Sequence, residues 1–142
     1  MKSFGRIQGS RRARGFTLLE IVIVIALIAL VMAGVAAGVN RQRQKANYKL
    51  AAANVHRLAG SIEEYAVDNG NAPDRLEDLM TKPANARNWN GPYAKEKDLL
   101  DPWNHAYVYA KPGQHGDYDL TSLGADGKDG GDGFNKDIHS WD

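Results

Sequence analysis

Gly15-Phe16-Thr17-Leu18-Leu19-Glu20 opens an apolar run that continues without a charged residue from Ile21 to Val39. As a helix those residues would rise roughly 28 Å, about the thickness of a bilayer's hydrocarbon core. Ahead of the run stand Lys2, Arg6, Arg11, Arg12 and Arg14, with no acid among them. Such charge holds an N-terminus on the cytoplasmic side of a membrane. Glu20 is the anomaly, a carboxylate at an apolar edge with no generic reason to be there. Ionisable groups in membrane segments are costly and usually partnered, so Glu20 is a functional candidate. The segment reads as made for a membrane first and for another copy of itself later.

An ordinary secretory signal carries its small-residue cleavage site after the apolar run. Here the only good site, Gly15-Phe16, precedes it, so a cut would remove the basic leader and leave the apolar helix on the protein. These residues resemble the class III signal of type IV pilins and type II secretion pseudopilins. The resemblance implies cleavage after Gly15 by a prepilin peptidase, N-methylation of Phe16, and an assembly role for Glu20. The plain alternative is an ordinary N-terminal anchor.

The chain has 142 residues with 18 cations and 17 acids. Without residues 1–15 the charge balance turns acidic. The segment C-terminal to the span is long enough for one small domain with one modest core. No basic patch points to nucleic acid. Arg41, Arg43, Lys45 and Lys49 instead come directly after the span, as interfacial anchors or as salt-bridge partners in an assembly. There is no cysteine, so no disulfide can hold the C-terminal region, as it does in many small exported domains.

From Asn40 to Asn69 there is no proline and one glycine, Gly60. Val55, Leu58, Ile62 and Tyr65 recur at three-and-four spacing, which predicts one apolar helical face. Gly70 suits a left-handed C-cap, with Pro73 beyond it. Phe16 to Asn69 is thus expected as one helix, half apolar all round and half amphipathic. Gly34 and Gly38 form a GxxxG pair that either permits close helix contact or reflects the small residues common in membrane spans.

The remainder reads as a head. Arg75–Met80 predicts a short helix. Trp89-Asn90-Gly91-Pro92-Tyr93 and Asp101-Pro102-Trp103-Asn104 predict turns. Residues 106–110 and 118–123 predict two antiparallel strands joined through Pro112-Gly113. The three tryptophans read as core and edge packing rather than a ligand cage. The expected fold class is α+β: a long N-terminal helix packed on a small antiparallel β-sheet head with an irregular C-terminal loop, type IV pilin-like. The expected parts are a leader (1–15), a transmembrane and assembly helix (16–39) and a head (40–142). The head divides into an amphipathic helix (40–69), a short helix with loops (70–105), and the sheet with its C-terminal loop (106–142).

WNGPY, DPW, the YVY strand, HGDYDLTSLGADG and DIHSW, in this order behind such a leader, resemble the major pseudopilins of type II secretion across essentially the whole chain. Between Gly70 and Met80, NAPDRLEDLM departs from that pattern and leaves this loop's conformation open. The resemblance implies a structural subunit of a periplasmic filament, polymerising from the inner membrane to drive folded proteins across the outer membrane. It implies a single-pass protein of the inner membrane of a Gram-negative bacterium, with its head in the periplasm. Implied partners are other copies of itself, the prepilin peptidase, minor pseudopilins, the inner-membrane assembly platform and membrane lipid. A type IV pilin or minor pilin, and a membrane-anchored periplasmic binding module, are the alternatives.

Residues 117–142 contain seven aspartates against two lysines, among many glycines. A solvated acidic tail is one reading. Hard oxygen ligands on a glycine-permissive backbone also suit Ca²⁺. Residues 126–137 fail the EF-hand pattern, because Lys128 stands where the second oxygen ligand belongs. The resemblance implies one structural calcium, held by the Leu123 carbonyl and the Asp126 and Asp137 carboxylates. Asp132 and Asn135 complete the implied set, with Asp129 a weaker candidate. No enzyme motif is present. His56, His105, His115 and His139 are scattered, and Ser122 and Ser140 lie in no nucleophile elbow. Asp117 and Asp119 are expected on one strand face in a structural role. No catalytic residue is assigned.

Overall fold

The computed structural model describes residues 15–142, so the leader, apart from Gly15, lies outside the described residues. Thr17 starts the long helix α1, Leu18–Asn69. Its carbonyl accepts the first helical bond from Ile21 N (3.2 Å) and its hydroxyl accepts from Glu20 N (3.2 Å). The helix ends where Gly70, at φ +88°, donates its N–H to Ala66 O (2.8 Å). A residue with a Cβ resists that left-handed backbone, which glycine adopts freely.

By its internal contacts the chain divides after Val39 into two units. In the first, every large hydrophobic from Phe16 to Val39 is solvent-exposed. In the second, Ala51, Val55, Leu58, Ala59, Ile62 and Tyr65 of α1 are buried, the face that the periodicity predicts. They pack with Ala72, Leu76, Leu79, Ala94, Tyr107, Leu120 and Ile138 in one core. Ile62, Leu79, Leu120 and Val55 are fully buried. Burying each such side chain stabilises the fold by about 1.5–3 kcal/mol relative to leaving it exposed.

The short helix expected at 75–80 is present as a single 3₁₀ turn, Leu76–Leu79. The Leu79 carbonyl accepts from Tyr93 N (2.8 Å) rather than continuing the helix, and Asp78 folds back onto Arg75 N (3.2 Å). A second 3₁₀ turn, Glu96–Leu99, was not expected from the sequence. The sheet has three antiparallel strands in the order β1 (Val108–Ala110), β2 (Asp119–Ser122), β3 (Ile138–His139). Both expected strands are present but shorter than read. At the start of the first, Ala106 bridges to Leu100 instead. β3 is additional, pairing Thr121 with His139 and Ser122 with Ile138.

Asp117 precedes β2 and does not share a strand face with Asp119, contrary to expectation. Asp119 organises the β1–β2 turn, accepting from Gln114 N (2.8 Å), His115 N (3.1 Å) and His115 Nδ1 (3.1 Å). Burial would raise its pKa, but these bonds outweigh burial and hold it below the usual carboxylate range. Trp89 and Trp103 pack against the core. Trp141 is stacked between His115 (4.0 Å) and His139 (4.4 Å), ring centre to ring centre.

Candidate functional site

Two regions carry the candidate residues. At the N-terminal edge, Phe16 is 77% exposed and Glu20 lies in the first turn of α1. Thr17-Leu18-Leu19-Glu20 is the sequence signature of a helix N-cap box, and the Thr17 hydroxyl does cap Glu20 N. That bond engages the backbone N–H of Glu20 and not its carboxylate. An acid in the first turn also complements the positive end of the helix dipole. The Thr-x-x-Glu spacing is the sequence signal for this cap, overshadowed there by the membrane context.

The second region is the loop from Leu123 to Asp137, which β2 and β3 bring together at its two ends. Its backbone closes on itself through Ala125 N to Phe134 O (2.9 Å) and Asn135 N to Asp132 O (3.1 Å). A short 3₁₀ turn, Gly133–Asn135, lies within it. Gly124 (φ +65°) and Gly131 (φ +96°) both crowd the Asn135 carbonyl, and a Cβ on either would sit 2.6 or 2.7 Å from that oxygen. The loop thus needs glycine at both positions, for its backbone angle and for its space.

Asp137 is 6% exposed. Its Oδ2 accepts from Gly130 N (2.9 Å), while its Oδ1 is buried without a hydrogen-bond partner. Burying a carboxylate oxygen unpaired is costly, and a cation is one remedy. Asp126 is exposed and its Oδ1 accepts from Lys128 N (3.2 Å). Asp129, Asp132 and Asn135 are exposed. Among the described residues no three carboxylate, imidazole or thiol side chains gather into a metal-holding group. A cation here would therefore have to draw on carbonyls as well as on acids, which the oxygen chemistry of Ca²⁺ permits. The orphaned Asp137 oxygen and the glycine-lined Asn135 carbonyl fit that chemistry.

Sequence reasoning missed the hub beneath this loop. Asp101, 4% exposed, accepts from Trp103 N (3.0 Å) and His105 N (2.9 Å) through Oδ1. Its Oδ2 accepts from Ser122 Oγ (2.9 Å) at the end of β2. His105 Nδ1 then donates to Gly124 O (3.2 Å) at the start of the loop. The only local signal was Asp-Pro turn chemistry; Ser122 and Gly124 are remote in sequence. Burial, with the Asp101 charge adding to it, pushes the Tyr107 hydroxyl up to about 12.

Asp101→Ala would strand one buried hydroxyl and two backbone N–H groups. The expected loss is about 2–4 kcal/mol, which lowers the melting temperature of a domain this size by roughly 10 °C or more. Thermal denaturation followed by circular dichroism checks it. A melting temperature within about 2 °C of the parent would show that the hub does not carry this stability.

Compared with known proteins, residues 38–141 match the family described as type II secretion system (T2SS), protein G. Residues 10–36 match the prokaryotic N-terminal methylation motif. The type II secretion system core protein G of Xanthomonas campestris is 43% identical over 124 residues, covering 87% of each chain. That of Pseudomonas aeruginosa is 36% identical over 138 residues, covering 93% of this chain and 97% of its own. The crystal structure of the major pseudopilin from the type 2 secretion system of enterohaemorrhagic Escherichia coli superposes with TM-score 0.57 at 27% identity. That match covers 70% of this chain and 90% of the other.

Proposed function

This chain belongs to the protein G family of type II secretion systems, the major pseudopilins, and from that premise we propose how its parts act. It is a structural subunit of a secretion pseudopilus and not an enzyme. The observation that carries the reading is the unburied apolar surface of residues 16–39, beside a second unit that builds its own core. Such a surface demands a non-aqueous environment. The bilayer supplies it while the subunit is stored, and the same segments of other copies supply it after polymerisation.

In this reading a prepilin peptidase removes residues 1–15 and Phe16 becomes the methylated N-terminus, as the matched methylation motif supports. The head lies in the periplasm, and growth of the filament on an inner-membrane platform, with minor pseudopilins, drives folded proteins outward. Glu20 pairs with the α-amino group of Phe16 on a neighbouring copy. In the head, Leu123, Asp126, Asp132, Asn135 and Asp137 would hold one calcium ion. When bound, the ion would supply positive charge to the Leu123–Asp137 loop and tie its two ends.

Intact-mass analysis of membrane-extracted protein should show loss of residues 1–15 and one added methyl group. Gly15→Trp should abolish that maturation, because the bulky side chain stands at the scissile bond. Unprocessed wild-type chain in cells with an active peptidase would overturn the processing step. Electron microscopy of cells overexpressing the chain tests the structural reading itself: short filaments are expected, and a monomeric membrane protein would count against it.

A further inference from the structure

The chain has two Asn-Gly pairs, Asn69-Gly70 and Asn90-Gly91. Asparagine before glycine is chemically reactive, because no Cβ shields the glycine nitrogen from the side-chain amide carbon. In an unfolded chain the two pairs would react alike. The fold sets them apart. At the end of α1, Gly70 N donates to Ala66 O (2.8 Å) and the Asn69 side-chain amide donates to Tyr65 O (3.0 Å). Both reacting groups are tied there. Asn90 stands in an irregular turn and is exposed. Among the described residues neither its side-chain amide nor Gly91 N makes a hydrogen bond. Asn104 is exposed too, but the nitrogen that follows it, His105 N, donates to Asp101 Oδ1 (2.9 Å). A Cβ at position 91 would lie 2.7 Å from both Trp89 Cζ2 and Tyr93 Cδ2. The packing of two aromatic rings thus imposes the residue that leaves the nitrogen bare.

We propose that Asn90 is a site of spontaneous covalent modification in the folded protein, from which Asn69 is protected. The Gly91 nitrogen bonds to Asn90 Cγ, the Cγ–Nδ2 bond breaks, and ammonia leaves with the proton that Gly91 N gives up. Water then opens the cyclic imide at either carbonyl. One opening yields aspartate. The other yields isoaspartate, whose main chain runs through the former side chain. In both, water has replaced ammonia, and no oxidant or reductant takes part.

The surroundings of Asn90 give the change a structural effect. Asn90 N donates to the Tyr93 hydroxyl (2.8 Å), which donates to Asp68 Oδ2 (2.6 Å) near the end of α1. Trp89 Nε1 donates to Asp78 O (3.1 Å) on the other side of the turn. Isoaspartate lengthens the backbone by one carbon inside this closure. Either product also adds a negative charge to a turn already anchored on Asp68, which is unfavourable. Conversion therefore loosens the hold of Tyr93 on the helix.

Full-length protein extracted in detergent, incubated at mildly alkaline pH and digested with trypsin, tests the proposal. Cleavage after Arg87 and Lys95 isolates residues 88–95, and cleavage after Arg57 and Arg75 isolates residues 58–75. Each conversion adds one mass unit, and fragment spectra assign it to a residue. In the folded chain Asn90 should convert roughly tenfold or more faster than Asn69, because Gly70 N must first break its hydrogen bond. In denaturant the two should convert at similar rates. Folded protein in which Asn69 keeps pace with Asn90, or in which Asn90 is as inert as Asn69, overturns the proposal. Asn90→Gln should abolish the mass gain in residues 88–95, since the longer side chain must close a larger ring. A gain that persists in that variant belongs to Asn88 and counts against the assignment. The converted chain, followed by near-ultraviolet circular dichroism, should melt roughly 4–8 °C lower, as for the loss of about one hydrogen bond. An unchanged melting curve would show that the turn does not open.

Discussion

Glu20→Leu is expected to enter the membrane and be cleaved after Gly15, yet to form no filaments and support no secretion. In the pairing proposed above, the carboxylate and a neighbour's Phe16 α-amino group would neutralise each other in the apolar interior of the assembly. Removing one partner of a buried pair costs about 3–5 kcal/mol, because the other charge stays buried and alone. The Thr17-x-x-Glu20 spacing supplies a rival explanation, a capping box in which the Glu20 side chain would bond the Thr17 N–H. Glu20→Gln separates the two. Glutamine serves in a capping box as glutamate does, but it carries no charge. If pairing decides assembly, both variants fail; if capping decides it, only Glu20→Leu fails. Normal filaments from Glu20→Leu would refute both, and electron microscopy beside an intact-mass measurement reads every outcome.

A soluble fragment beginning at Arg41 should melt at markedly higher temperature in millimolar calcium than in EGTA. An ion that binds only the folded head adds about 2.7 kcal/mol at a hundredfold excess over its Kd. For a domain of this size that corresponds to roughly 10–20 °C in melting temperature. Asp137→Ala has two expected effects. It removes the acceptor of Gly130 N (2.9 Å), lowering stability even in EGTA, and it abolishes the calcium-dependent rise. Asp126→Ala touches only the exposed turn at Lys128 N, so its loss should lie almost wholly in the calcium-dependent part. A wild-type melting curve that calcium does not move would show that the Asp137 oxygen without a partner is left without a cation as well.

The long helix and its two characters were legible because both are local. Charge absence over Ile21–Val39 and the spacing of Val55, Leu58, Ile62 and Tyr65 are periodic signals that no distant residue needs to complete. The stop at Gly70 is equally local, a backbone angle that glycine alone takes without strain. The Thr17–Glu20 cap is local as well, written in a three-residue spacing, although the cost of a carboxylate at a membrane edge is the louder signal there. The order of motifs in the head was enough to mark the family.

What needed the folded chain was every interaction that closes over long separation. β3 is two residues long, too short for any alternation to show, and exists because the loop returns Ile138 beside Ser122. The Asp101 hub joins remote segments through a single buried carboxylate, and nothing in Asp-Pro-Trp-Asn announces Ser122 as its partner. The 3₁₀ turn at Leu76–Leu79 stays short because the remote Tyr93 N takes the Leu79 carbonyl. The sequence by itself determined which segment is long and apolar enough to cross a membrane, where that helix ends and which of its faces is buried, since helix geometry alone maps residue spacing onto a surface. Only the tertiary structure decided how the acidic loop is fastened, because buried hydrogen-bonding groups are satisfied by whichever residues folding brings near them.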